Sequence, residues 1–222
     1  MFKDREEAGR LLAARLSAYR DDAHALVLAL PRGGVATGYT LSLALHLPLD
    51  VFIVRKLGAP GNPEYAIGAL AETGSVYLNQ EAMQLFSLTR VDLDHLMRAQ
   101  REEIARRQAL YRGGRPLPDL SDRTVLLVDD GIATGSTFFA SIEALKGLRV
   151  KRLVAAVPVG PRDTMIRVRE QVDELVVLMA PELFFAVGNF YADFAQVEDE
   201  RVVRYLHEAA AALREGQPRS LV

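Results

Sequence analysis

The sequence of 222 residues predicts an α/β fold, a parallel β-sheet flanked by helices. Two observations carry that expectation. Short apolar runs of strand length alternate with segments whose apolar residues recur at helical spacing. The runs also stop abruptly at proline, glycine or paired charges, as strands do where they meet a loop. No internal repeat, low-complexity tract or obvious interdomain linker interrupts the pattern, half of the residues are hydrophobic, and the length suffices for one large domain with a substantial core or a domain plus a small appendage.

The elements follow in order. Residues 4–20 place Ala8, Leu11, Leu12, Leu16 and Tyr19 on one helical face. Ala25 to Leu30 is a strand ending at Pro31-Arg32-Gly33-Gly34, and residues 35–46 return to helix. Val51 to Val54 reads as a strand stopped by Arg55 and Lys56. Leu57 to Pro63, with two glycines and two prolines, reads as a loop. Short alternating segments run on to about Leu78, and an arginine-rich helix spans about Val91 to Tyr111 until Gly113-Gly114-Arg115-Pro116 breaks it. A strand at 124–129 and a helix carrying Phe139, Ile142 and Leu145 follow. Leu153 to Val157 is a strand stopped by Pro158, 162–171 is helical, Glu174 to Met179 is a strand, and Asp199 to about Leu213 is a helix. Glu215 to Val222 is expected to fray.

Composition narrows the chemistry. A net charge of −2 gives no global field to recruit nucleic acid or a membrane. With no cysteine there is neither disulfide nor thiolate chemistry, and four scattered histidines form no zinc-ligand spacing. The first residues carry no apolar signal core and no apolar run reaches bilayer length, so a cytoplasmic protein without membrane contact is expected.

The densest signal is Val125 to Thr137, VLLVDDGIATGST. An apolar strand delivers Asp129 and Asp130 to its carboxyl end, where open parallel sheets bind ligands. Carboxylates there can accept hydrogen bonds from sugar hydroxyls. The turn after them (Gly131, Ile132, Ala133, Thr134, Gly135, Ser136, Thr137) leads into a helix N-terminus, whose N–H groups and dipole suit a phosphate. On its own, an Asp-Asp pair before a helix serves equally well as a cap; the Thr-Gly-Ser-Thr spacing favours the ligand. Two other strand tips add cationic and amide-rich chemistry. Gly33 and Gly34 let an anion approach the backbone beside Arg32, and Arg55 and Lys56 precede the Gly/Pro segment. The arginines of the long helix are read as a solvated charged face, which leaves nucleic acid an improbable partner.

Segment 125–137 resembles the phosphoribosyl diphosphate motif of type I phosphoribosyltransferases. Pro31-Arg32-Gly33-Gly34 falls where that family has its pyrophosphate loop, and Val54 to Gly58 resembles the opening of its mobile catalytic loop. The run Arg55 to Glu64, followed by the arginine-rich helix, is most similar to a bacterial branch of predicted phosphoribosyltransferases. The resemblance implies one domain over residues 1–222, with a core at about 20–180 and a small hood or flap built from parts of 55–120 and 180–222. It implies transfer of the phosphoribosyl group of phosphoribosyl diphosphate to or from a nitrogenous acceptor, a nucleobase by expectation, with release of pyrophosphate. Asp129, Asp130, Arg55 and Lys56 would be catalytic, 131–137 would bind the 5-phosphate, and Arg32, Gly33 and Gly34 would bind pyrophosphate. Magnesium would be held mainly by the ligand, with Asp129 and Asp130 as candidate protein ligands. Phe184, Phe185, Tyr191 and Asp193 are acceptor candidates in a region similar to the base-flanking segment of purine enzymes, although aromatics there are more often core. A homodimer is expected from the same resemblance. Two departures stand out: Gly131 replaces a usual apolar residue, and Ala59 replaces a second loop lysine of adenine-type enzymes. The alternative is a non-catalytic regulator of the same fold that senses a nucleotide or phosphoribosyl diphosphate.

Overall fold

The computed structural model describes residues 1–216, which fold as two compact units. Among the described residues the first comprises 1–51, 120–133 and 150–216; the second comprises 52–119 and 134–149. Of the segment expected to fray, Glu215 and Gly216 belong to the last helix, and 217–222 lie outside the described residues.

The first unit is built on five parallel strands in the order β2-β1-β6-β7-β8. These are β1 (Ala25–Ala29), β2 (Leu49–Val51), β6 (Thr124–Val128), β7 (Arg152–Val159) and β8 (Glu174–Met179). All residues of β1 and β6 are buried, which explains why both read as unbroken apolar runs rather than as alternation. Helices α1 (Arg5–Arg15) and α2 (Gly33–Leu45) share a core with the sheet, in which Leu12, Leu16, Leu41 and Leu45 meet Val27, Leu126, Val128 and Val154. Asp4 caps α1 by accepting a hydrogen bond from Glu7 N. Helix α7 (Asp199–Gly216) packs on α2 and β2, and α6 (Arg162–Arg169) on β8.

Pro158 does not end β7, as the sequence suggests; the strand runs on to Val159. Pairing with β6 stops at Ala156, and past it the strand pairs with β8 at Val157 and Val159, so a residue without an N–H is tolerated at Pro158. The decisive register is that of β1 with β6, from Ala25 opposite Thr124 to Ala29 opposite Val128. Adjacent parallel strands that end level release their following loops side by side.

The second unit holds an antiparallel sheet of β3 (Val54–Ala59), β4 (Asn62–Ala71) and β5 (Val76–Leu78). Around it stand α3 (Gln80–Leu85), α4 (Arg90–Arg112) and α5 (Ser136–Lys146). Here the structure corrects the sequence-based expectation. Arg55 and Lys56 do not cap a parallel strand; they lie within β3, opposite Leu70 and Ala69. The Gly/Pro segment is not an open loop but a hairpin. Pro60 and Gly61 turn between the paired Ala59 and Asn62, Gly61 takes φ 75°, and the register shifts at Gly58. Breaker residues mark a turn and a bulge as readily as a loop, and composition alone does not separate them. Helix α3, which the sequence pattern does not announce, is capped by Asn79.

Helix α4 starts at a Thr89–Asp92 capping box and stops at Gly113 in the left-handed region. Its Arg112 forms an ion pair with Glu72, with two contacts of 2.6 Å and both side chains 2% exposed. Glu72 also accepts from Ile53 N and Gln108 Nε2, so its charge is well solvated by protein. Arg112→Met should strand that carboxylate and destabilise the protein by about 3–5 kcal/mol, measured as a lowered urea midpoint. Farther along α4, hydrogen bonds from Arg106 and Arg107 bring Glu103 from its ordinary 4.5 down to about 2. A depressed carboxylate stabilises the fold fully above its unfolded value, and that contribution fades as pH falls from 4.5 toward 2. Glu103→Gln should therefore flatten the stability–pH curve in that window and leave its slope near neutrality unchanged, as followed by thermal unfolding.

Candidate active site

The site of the first unit forms where β1 and β6 end. Leu30 N donates to Val128 O at 2.9 Å, which holds the two exits together. Pro31-Arg32-Gly33-Gly34 leaves β1 and Asp129-Asp130 leaves β6, and the two segments touch. A Cβ on Gly33 would collide with Asp130 Oδ2, and one on Gly34 would sit 2.9 Å from Asp129 Cα and Oδ1. Both glycines are therefore required by close approach, and the structure brings the paired acids and the Arg-Gly-Gly bend into one place, as the sequence suggests. The Pro31–Arg32 peptide is cis. Helix α2 begins at Gly33 without a side-chain cap, and Val35 N donates to Arg32 O at 3.1 Å, which leaves the N–H groups of Gly33 and Gly34 at this bend.

The acids are held firmly. Asp130 N donates to Asp129 Oδ1 at 2.8 Å. Arg5 Nε donates to Asp130 Oδ2 at 2.7 Å, an ion pair whose side chains are 11% and 13% exposed. Tyr191 donates its hydroxyl to Asp130 O. Burial, and then the charge of Asp130, push the Asp129 carboxyl well above the usual carboxylate range. Burial also raises Asp130, and Arg5 pulls it back. Two enclosed carboxylates with a single guanidinium between them make a site short of positive charge, suited to hydroxyl groups and to a cation.

Arg32, expected to bind an anion, donates from Nη1 to Glu198 Oε2 at 3.1 Å and lies 3.9 Å from Asp199 Oδ1. The Arg32 and Glu198 side chains are 29% and 59% exposed, so an incoming anion can compete for the guanidinium at small cost. A cleft of about 660 Å³ adjoins, lined among others by Arg5, Asp193, Glu198, Arg201 and Tyr205.

The other expected residues are placed as follows. Tyr191 is 5% exposed, and its ring packs between Phe2 and Phe194 at centroid distances of 5.2 and 5.0 Å. It is a support beneath Asp130, with no open ring face for a flat acceptor. Phe184 is half-buried and stacked on Phe190 at 5.3 Å, whereas Phe185 is 85% exposed. Asp193 is exposed on the cleft and accepts from Ala195 N. Gly131 and Ile132 are buried, and Ile132 commits its N–H to Val159 O at 2.9 Å. Ala133 O accepts from Thr164 Oγ1. The space of a Cβ on Gly131 is taken by Val187, 2.5 Å away. That is a physical reason for glycine at this position.

In the second unit, Thr134 is exposed and Gly135, at φ 82°, turns the chain into α5. No side chain caps α5, so the N–H groups of its first turn, from Ser136 and Thr137 on, have the character of an anion cradle. Arg55 is half-buried and donates to Gln100 Oε1 at 3.0 Å; burial, and then Arg107, lower its pKa. Lys56 is exposed.

Sequence inspection misses Arg5 and Glu198. Nothing separates Arg5 from Arg10 or Arg15 in an ordinary charged helix start; only the folded chain brings it to a carboxylate 125 positions away.

Among the described residues no group of three or more His, Asp or Glu side chains is arranged to hold a metal, and no helix is long and apolar enough to cross a membrane. A model of the phosphoribosyl transferase domain matches residues 3–193. Two Mycobacterium tuberculosis proteins, from strains CDC 1551 / Oshkosh and ATCC 25618 / H37Rv, carry provisional phosphoribosyl transferase names. Each is 42% identical over 94% of this chain and 47% of its own length. The chain thus spans about half the length of the curated relatives it matches. The crystal structure of TT1426 from Thermus thermophilus is 39% identical, covers 93% of this chain and 98% of its own, and superposes with a TM-score of 0.78.

The packing of glycine on carboxylate gives a direct test. Gly33→Ala should force Asp130 away from Arg5 and cost roughly 1–3 kcal/mol, seen as a lower urea midpoint; an unchanged midpoint would mean that the carboxylate has room to step aside.

Proposed function

We propose, for a chain that belongs to the phosphoribosyl transferase family, that it transfers the phosphoribosyl group of phosphoribosyl diphosphate to or from a nitrogenous acceptor, a nucleobase in the first instance, with release of pyrophosphate. One observation carries the proposal: two enclosed carboxylates packed directly on a glycine bend that opens a helix.

In this assignment Asp129 and Asp130 accept the ribose hydroxyls and lie near the positive charge that builds on the ring as pyrophosphate departs. Arg32 and the amides of Gly33 and Gly34 receive the departing anion, with the Glu198 carboxylate giving way to it. The uncapped first turn of α5, with Thr134, Ser136 and Thr137, is assigned to the 5-phosphate; it follows the acids directly along the chain. Arg55 and Lys56 are assigned to neutralising pyrophosphate from the β3–β4 hairpin. Asp193 and Phe185, both exposed, remain the acceptor candidates. Nucleic acid and membrane have no part in this function, and a cytoplasmic homodimer belongs to the same proposal.

The donor set fits magnesium. Two carboxylates without a third protein ligand suit an ion that keeps its waters and takes most of its oxygens from a substrate. When bound, the ion would be held mainly by the ligand, with Asp129 and Asp130 as the candidate protein donors, and would supply charge neutralisation at hydroxyl and phosphate oxygens.

The test is pyrophosphate release from phosphoribosyl diphosphate and magnesium across a panel of nucleobases. At least one base should give turnover that EDTA abolishes. Asp129→Asn should lower it by roughly 10²–10³, the usual penalty for removing one well-placed charged contact. If the wild type never exceeds an Asp129→Asn, Asp130→Asn double variant with any base, the transferase assignment fails.

A further inference from the structure

We propose that Arg5 is a positioning residue of the sugar site, setting the Asp130 carboxylate and offsetting its charge for an anionic ligand; this rests on the function proposed above. Arg5 opens α1, far in sequence from every motif residue, yet its guanidinium is fixed by three contacts of different kinds. Nε donates to Asp130 Oδ2 at 2.7 Å, Nη1 donates to Ala195 O at 2.8 Å, and Cζ lies 3.8 Å over the centroid of the Phe194 ring. With 11% of the side chain exposed, this is not a solvated surface pair of negligible value.

Two consequences follow. The first is geometric. With Oδ2 committed to Arg5, the carboxylate torsion is set before a ligand arrives. The second is electrostatic. Two adjacent carboxylates would repel a strongly anionic pentose diphosphate, and the guanidinium offsets one of the two charges at close range. A Cβ on Gly33 would also fall 3.2 Å from Arg5 Nε, so the cation packs against the bend assigned to the leaving pyrophosphate. Arg5 acts through Asp130, so its removal should weaken binding of the donor.

Titration calorimetry with phosphoribosyl diphosphate and magnesium, on the whole chain, needs no knowledge of the acceptor. Arg5→Gln should bind roughly tenfold more weakly than the wild type. Arg5→Lys, which keeps the charge but loses the planar fork and the ring stack, should fall between them. Phe194→Leu, which leaves Arg5 in place but removes its platform, should bind roughly threefold more weakly. Thermal unfolding of each variant separates these effects from lost stability, because a purely structural role would move the unfolding temperature without graded recovery of affinity by lysine. If Asp130→Asn loses binding while Arg5→Gln retains wild-type affinity, the role of Arg5 is overturned and the functional assignment stands. If Arg5→Gln does not fold, Phe194→Leu decides, and unchanged affinity there overturns the role. If the wild type shows no binding, both fall together.

Discussion

The site depends on one contact, the packing of Asp129 and Asp130 on Gly33 and Gly34. That contact exists because β1 and β6 are parallel neighbours in matched register. A strand inserted between them would separate the acids from the amide bend by about 5 Å, beyond hydrogen-bond reach. A side chain on either glycine would do so locally. Sheet topology and glycine placement are thus two parts of one requirement: that an acidic edge and an amide bend lie in contact.

Enclosing two carboxylates is unfavourable unless something answers for them. The fold answers asymmetrically. Asp130 receives a guanidinium and has a phenol hydrogen-bonded to its backbone carbonyl; Asp129 accepts the backbone N–H of Asp130 and lies against that residue's carboxyl group. The supports come from two segments far apart in the chain, Arg5 from the first turn of α1 and Tyr191 and Phe194 from the stretch after β8. Phe2 packs on Tyr191 and pairs with it as an isolated bridge, so these two segments form a single support. The contrast with Glu72 and Arg112 is instructive. There a full set of partners makes a closed ion pair. Here a single guanidinium serves two adjacent carboxyl groups.

Much of this is legible in the sequence, and the misses share physical causes. The apolar runs of β1 and β6 announce themselves because burial on the sheet leaves little room for polar residues. The acids, the Gly-Gly bend and the Thr-Gly-Ser-Thr turn are visible because their chemistry is local and contiguous. Arg55 and Lys56 are misplaced by sequence reading because a two-residue hairpin turn and a bulge have the same composition as a loop. Tyr191 reads as a stacking surface because sequence does not say which ring faces are already occupied. Arg5 and Glu198 are invisible because their roles arise only from tertiary contacts with Asp130 and Arg32.

The joining of distant segments at Asp130 has a temporal meaning during synthesis. The guanidinium is made 125 positions before its carboxylate, and the ring that seats the guanidinium follows later still. A nascent chain that has laid down β1 and β6 has the acid pair but lacks the platform that holds its counter-charge. The counter-charge of Asp130 is therefore seated late, once Phe194 and Ala195 have joined a residue made long before them.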